Sequence, residues 1–78
     1  MTDDYCVLFG KRLAEIRKEK GIAQDKLALK CDMARSFVGE VERGTRNISL
    51  RNICKLAIGL EVTTSELLSL VDNEISNF

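Results

Sequence analysis

The stretch Gln24 to Arg43, QDKLALKCDMARSFVGEVER, decides how this chain folds. In its first part Leu27, Ala28 and Cys31 stand at i, i+1 and i+4, on one side of a helix that opens at Gln24 and Asp25. The pattern breaks at Cys31-Asp32-Met33. Apolar residues resume at Val38 and Val41, three apart, while Arg35, Ser36, Gly39, Glu40 and Arg43 fall on the other sides. A second helix is therefore expected, buried along one edge and free along the other. Two helices this short hold a fixed angle only if they cross closely, and Ala28 facing Val38 supplies a small residue against a branched one. The turn sets an angle and does not merely space two independent helices.

These residues resemble the helix-turn-helix of the phage-repressor-like (XRE-type) DNA-binding family. The likeness rests on Gln24, Leu27 and Ala28 in the first helix, Met33 in the turn, Val38 and Val41 in the second helix, and Glu42-Arg43-Gly44 at its end. The run from Glu42 through Thr45-Arg46-Asn47-Ile48-Ser49-Leu50 narrows it, being similar to the small controller proteins that time gene expression in restriction–modification systems. The resemblance spans Phe9 to Leu68 and implies an all-α, compact five-helix bundle, a lambda-repressor-like DNA-binding domain. Three positions depart from the family pattern. Asp32 stands where Gly is usual, in a left-handed turn that costs a non-glycine residue. Ala23 and Ala34 replace Ser or Thr caps, at about 1 kcal/mol each. Phe37 lacks the aromatic hydroxyl common there, so a phosphate contact through it is not available.

Composition agrees with one helical domain over residues 1–78, near the size at which a single core is only marginally stabilising. Proline is absent, aromatics are confined to Tyr5 and three Phe, and helix formers dominate. No apolar run approaches a membrane span, and the chain starts with Asp3 and Asp4 in place of a basic leader, so a cytoplasmic protein is expected. Three widely spaced cysteines, Cys6, Cys31 and Cys54, with no histidine anywhere argue against a zinc site or a disulfide framework; no metal or cofactor is expected. Cys31 and Cys54 sit on apolar faces and read as small core residues, with Cys6 nearer the surface. Net charge is zero, yet all twelve Lys and Arg lie between Lys11 and Lys55 with only six acids, so that segment carries 12 − 6 = +6 and the ends carry −6. Such a distribution suits a molecule that offers one side to phosphates; ordinary solvated helix faces would produce it too.

In chain order, the first helix runs from about Asp4 to Lys20, with Val7, Leu8, Leu13, Ala14, Ile16 and Arg17 as its inner stripe and Gly21 as its stop. Base contacts are assigned to the second helix of the motif: Arg35, whose guanidinium forks onto guanine O6 and N7 or else only neutralises a phosphate, Ser36, Phe37, which touches a thymine methyl or the sugar-phosphate or else fills space beside the first helix, and Glu40. Glu40 either accepts from a cytosine amino group or holds Arg35 in position. Gly39, costly in mid-helix, permits a close approach to DNA or to the neighbouring helix. Backbone contacts fall to Gln24, by the family likeness, and to Arg43, Arg46 and Asn47 in the following loop. For Gln24 a weak cap of its own helix is the competing reading, and for Arg43 an ion pair within the domain. Ser49 caps the fourth helix, Leu50 to Leu60, and Thr63 with Glu66 forms a capping box for a last helix carrying Leu67, Leu68, Leu70, Val71, Ile75 and Phe78. The resemblance implies a twofold dimer through this end, with Ile58, Leu60, Val62, Leu67 and Val71 at the interface, or alternatively a sealed monomer core. Expected partners are an operator in double-stranded DNA, a second copy of the chain and, if it activates, RNA polymerase, with no membrane. Catalysis is excluded by the lack of histidine, phosphate loop or paired carboxylates. The rival reading is a protein-interaction module such as an antitoxin or regulator-binding domain.

Overall fold

The computed structural model describes residues 4–76, which form six helices: α1 (Asp4–Glu19), α2 (Gln24–Lys30), α3 (Arg35–Glu42), α4 (Leu50–Leu60), α5 (Thr64–Leu67) and α6 (Ser69–Ile75). Asp3 and Phe78, used in the sequence reading, lie outside the described residues. The all-helical class is as expected. The count is one higher because the last helix is interrupted at Leu68, where φ −96° and ψ 6° leave helical geometry. That single residue redirects the chain, so that α5 packs on both α4 and α1 while α6 runs on along α1.

One core gathers Phe9, Leu13 and Ile16 of α1, Leu27, Ala28 and Cys31 of the α2 end, Val38 and Val41 of α3, Leu56, Ala57 and Leu60 of α4, and Leu67 of α5. The stripe on α1 is rotated from the expected one. Phe9, Leu13, Ile16 and Arg17 share a line at i, i+4, i+7 and i+8, which puts Phe9 inside and leaves Val7 exposed. Val7 packs instead beside Gly44, where a Cβ would come within 2.7 Å of the Val7 backbone.

Helices α1 to α4 all stop the same way. A residue in the left-handed region follows each, at Gly21, Asp32, Gly44 and Glu61, and two amides fold back to satisfy terminal carbonyls. In the motif's turn Met33 N donates to Ala28 O at 2.9 Å and Asp32 N to Leu29 O at 3.3 Å. The next residue in three of these stops, Ile22, Met33 or Val62, packs on the core. Asp32 at φ 55° does take the glycine conformation. Glu61 at φ 57° does so as well, and nothing in its residue type announces it. Ala23 and Ala34 leave α2 and α3 without side-chain caps. By contrast Ser49 Oγ accepts from Asn52 N at 3.1 Å, and Thr63 with Glu66 forms the expected capping box.

Two expectations need correction. Cys54 is exposed, whereas Cys31 is buried with its thiol donating to Lys55 O at 3.4 Å. On α4 the inward line is Leu56, Ala57 and Leu60; Cys54 belongs to a second line with Leu50 and Ile58, four residues apart, that faces outward. Of the five interface candidates, Leu60 and Leu67 are 1% and 0% exposed because α5 closes over α4. They can support a contact surface from behind but cannot be touched from outside.

Burial also raises the pKa of the Cys31 thiol, against a lowering by Lys30 and Lys55. The neutral thiol is thus favoured in the fold, and its contribution to stability falls as pH rises above the unfolded thiol's pKa, since the unfolded chain gives up that proton first. Because the thiolate is the nucleophile, iodoacetamide at neutral pH is expected to label Cys54 in the folded protein and Cys31 only after unfolding. Equal native labelling of both, read by peptide mass, would mean that the α2–α4 contact opens readily.

Candidate nucleic-acid interface

The exposed edge of α3 follows from its sequence. Val38 and Val41 turn into the core, which leaves Arg35, Ser36, Gly39 and Arg43 along the opposite side of the helix. These four residues and Gln24 of α2 line a cleft of about 350 Å³. Arg35, Ser36 and Arg43 are exposed.

Behind this edge lies a buried polar cluster that the sequence reading missed. Arg17, 9% exposed, is the buried charged residue of the described chain. Its Nε donates to Glu42 Oε2 at 2.6 Å, its Nη2 to Glu42 Oε1 at 3.0 Å, and its Nη1 to Ile22 O at 2.8 Å. Gln24 Nε2 adds a bond to Glu42 Oε1 at 2.8 Å. The hydrogen bond to Glu42 is the largest cause of a raised Arg17 pKa, with burial acting against it. A guanidinium is charged at any ordinary pH, so the shift adds no pH dependence within the working range. One carboxylate therefore ties α1, the start of α2 and the end of α3 together. The only trace in the sequence was a cation in register with the α1 core stripe; its partner, twenty-five positions on, left none.

This cluster removes two of the competing readings and leaves the phosphate contacts untouched. Gln24 does not cap its own helix: α2 has no side-chain cap, and the Gln24 amide is spent on Glu42. Arg43 does not pair with Glu42, whose cation is Arg17. Among the described residues neither Arg35 nor Arg43 meets a carboxylate.

Glu40 is turned to a different use than holding Arg35. Its Oε2 lies 2.9 Å from Arg46 Nε, and the Arg46 guanidinium sits 5.2 Å above the Phe37 ring. Phe37, half-buried against the core, thus carries Arg46 on its face, with Glu40 alongside. Cation–π and ion-pair contacts at such exposed sites contribute about 0.5–1 kcal/mol each at most. They bias where Arg46 rests without locking it. Asn47 is exposed but is not brought to the cleft; it lines a separate apolar groove of about 250 Å³ with Phe9, Ile48 and Ile53.

A short helix braced from behind, with cations along its free edge and a second helix fixed across it, is the build of a helix-turn-helix regulator of transcription. Residues 13–67 match the model of the helix-turn-helix family, and the chain belongs to that family. Among its relatives, control protein C.BamHI of Bacillus amyloliquefaciens is 44% identical over 69 residues, covering 87% of this chain and 85% of that protein. The crystal structure of the restriction–modification controller protein C.AhdI from Aeromonas hydrophila is 52% identical, with a TM-score of 0.78 over 80% of this chain and 94% of that one. The structure of SinR, a master regulator of biofilm formation, in complex with DNA is 34% identical, with a TM-score of 0.73 over 77% and 97% of the two chains.

Proposed function

We propose that this helix-turn-helix transcription regulator is a controller of the restriction–modification kind that binds a palindromic operator as a homodimer. The observation that carries the reading is the free edge of α3, where Arg35 and Arg43 stand exposed beside Ser36 with no carboxylate among the described residues to hold them. Placed in a major groove, α3 presents Arg35 and Ser36 from its first turn, where a guanidinium reads guanine and a hydroxyl serves either donor or acceptor. Phe37 and Glu40 flank them, with Glu40 also steering Arg46. Gln24, Arg43, Arg46 and Asn47 are the backbone contacts of this reading.

The dimer surface is α4 and the carboxy-terminal helices. Ile58 is 77% exposed and Leu50 74%, and with Cys54 they form an apolar line that a lone chain leaves to water. Ile58, Val62 and Val71 are the contact residues, backed by Leu60 and Leu67. A twofold pair would set its recognition helices about 34 Å apart, on successive major-groove faces. The protein would act in the cytoplasm, and an activating role would add RNA polymerase as a partner of the DNA-bound dimer.

Selection of duplexes from a random pool tests this directly. Enrichment of a palindrome with half-sites about one helical turn apart supports the dimeric reader; no enrichment by a folded protein would favour a protein-binding module instead. Arg46→Ala is expected to weaken binding to all duplexes alike and to lower the slope of log affinity against log salt by about one. An unaltered slope would remove Arg46 from the phosphate contacts.

A further inference from the structure

Of the five glycines, four have a reason inside the fold. Gly21 and Gly44 have positive φ, at 68° and 77°. At Gly10 a Cβ would overlap the carbonyls of Val41 and Glu42, and at Gly59 it would overlap Cys31 Sγ. Gly39 has no such reason. It stands in the interior of the eight-residue α3, where glycine is a poorer helix former than alanine. A Cβ there would first meet Arg43 Nη1 at 3.1 Å and then Gln24 Oε1 at 3.8 Å, both at the ends of side chains. From the neighbouring α2 the nearest atom is Gln24 Oε1, in ordinary contact at 3.8 Å, so that helix does not need the space. What the missing side chain does leave is the floor of the cleft between Gln24, Arg35, Ser36 and Arg43, buried in the free chain under the Arg43 guanidinium, a mobile side-chain end that a ligand can displace.

Resting on the DNA-binding reading above, we infer that Gly39 is a docking residue: its bare Cα lets a DNA backbone phosphate settle between Gln24 and Arg43. The charge around the cleft matches that occupant. Arg35 and Arg43 have no carboxylate partner among the described residues, while both acids of α3 are engaged elsewhere, Glu40 with Arg46 and Glu42 with Arg17. A phosphate oxygen would meet the guanidinium groups of Arg35 and Arg43 without a competing carboxylate, while the Gln24 amide stays on Glu42. A methyl on the floor would lift the strand off those donors while improving the helix.

The test is Gly39→Ala in the full chain, measured by thermal unfolding and by binding to both the selected operator and an unrelated duplex. The expected result is a Tm unchanged or raised by up to roughly 4–8 °C, with affinity for both duplexes reduced roughly tenfold or more, as for one lost charge-assisted hydrogen bond. Unchanged affinity overturns the inference, as does a loss of binding accompanied by a lower Tm, which would make Gly39 structural. A loss confined to the operator would replace the phosphate by a base edge and also overturns it. The same substitution in an Arg43→Ala background separates filling the cleft from pushing Arg43 aside. Further loss is expected there, and its absence would assign the effect to Arg43 alone. Should the unsubstituted protein bind neither duplex, the DNA-binding reading fails first and this one with it.

Discussion

Glu42→Ala is expected to destabilise the fold by about 3–5 kcal/mol, the usual cost of removing one partner from a buried ion pair. Both side chains are nearly sealed, 11% exposed for Arg17 and 8% for Glu42. Without the carboxylate the Arg17 guanidinium keeps only its bond to Ile22 O, and the Gln24 amide loses its acceptor. Domains of this length have roughly 4–12 kcal/mol in total, so the variant should be partly unfolded near body temperature. Denaturant melts would read this as a lower midpoint with the slope retained. Glu42→Gln should cost less, because an amide oxygen in the place of Oε1 still accepts two of the three bonds. A loss below about 1 kcal/mol in the alanine variant would mean that Arg17 swings out to water, and that the cluster is not what fixes α1 against the α2–α3 pair.

Arg35→Ala should do the reverse, leaving the fold alone and changing recognition. Its side chain is exposed at the first turn of α3 and is held by no carboxylate in the described chain. Removal of a surface residue of that kind usually stays within about 0.5 kcal/mol in stability. On the cognate operator the cost is expected to be about 1–3 kcal/mol, and duplexes selected by the variant should tolerate other bases at the position that the guanidinium reads. Unchanged selectivity with weaker overall binding would move Arg35 to the phosphates. The two variants together separate the brace behind α3 from the chemistry in front of it.

These expectations differ in how much of each could be read from residue order. The helix-turn-helix itself could be read because its information is local. The spacing of Leu27, Ala28 and Cys31, the pair Val38 and Val41, and the stops at Gly21 and Gly44 each act within a few residues. Ser49 and the Thr63–Glu66 box are likewise local, one hydroxyl answering an amide three positions on. The free edge of α3 follows from the same periodicity, which is why Arg35, Ser36 and Arg43 could be named from their positions.

Residue order was silent on everything that depends on which elements meet. Whether an apolar residue on α4 is core or surface turns on the rotation of that helix, so Cys54 and Ile58 face out while Leu60 lies under α5. The Arg17–Glu42–Gln24 cluster joins three elements through one carboxylate, and Glu40 answers Arg46 across the loop. Asp32 and Glu61 adopt a glycine conformation because core packing of Met33 and Val62 offsets their backbone cost. The break at Leu68 has no Gly or Pro to mark it; it goes with α5 reaching α4 as well as α1 while α6 runs along α1. Residue order determined the helices and their chemistry; the crossing of those helices determined which side chains the core kept and which it left exposed.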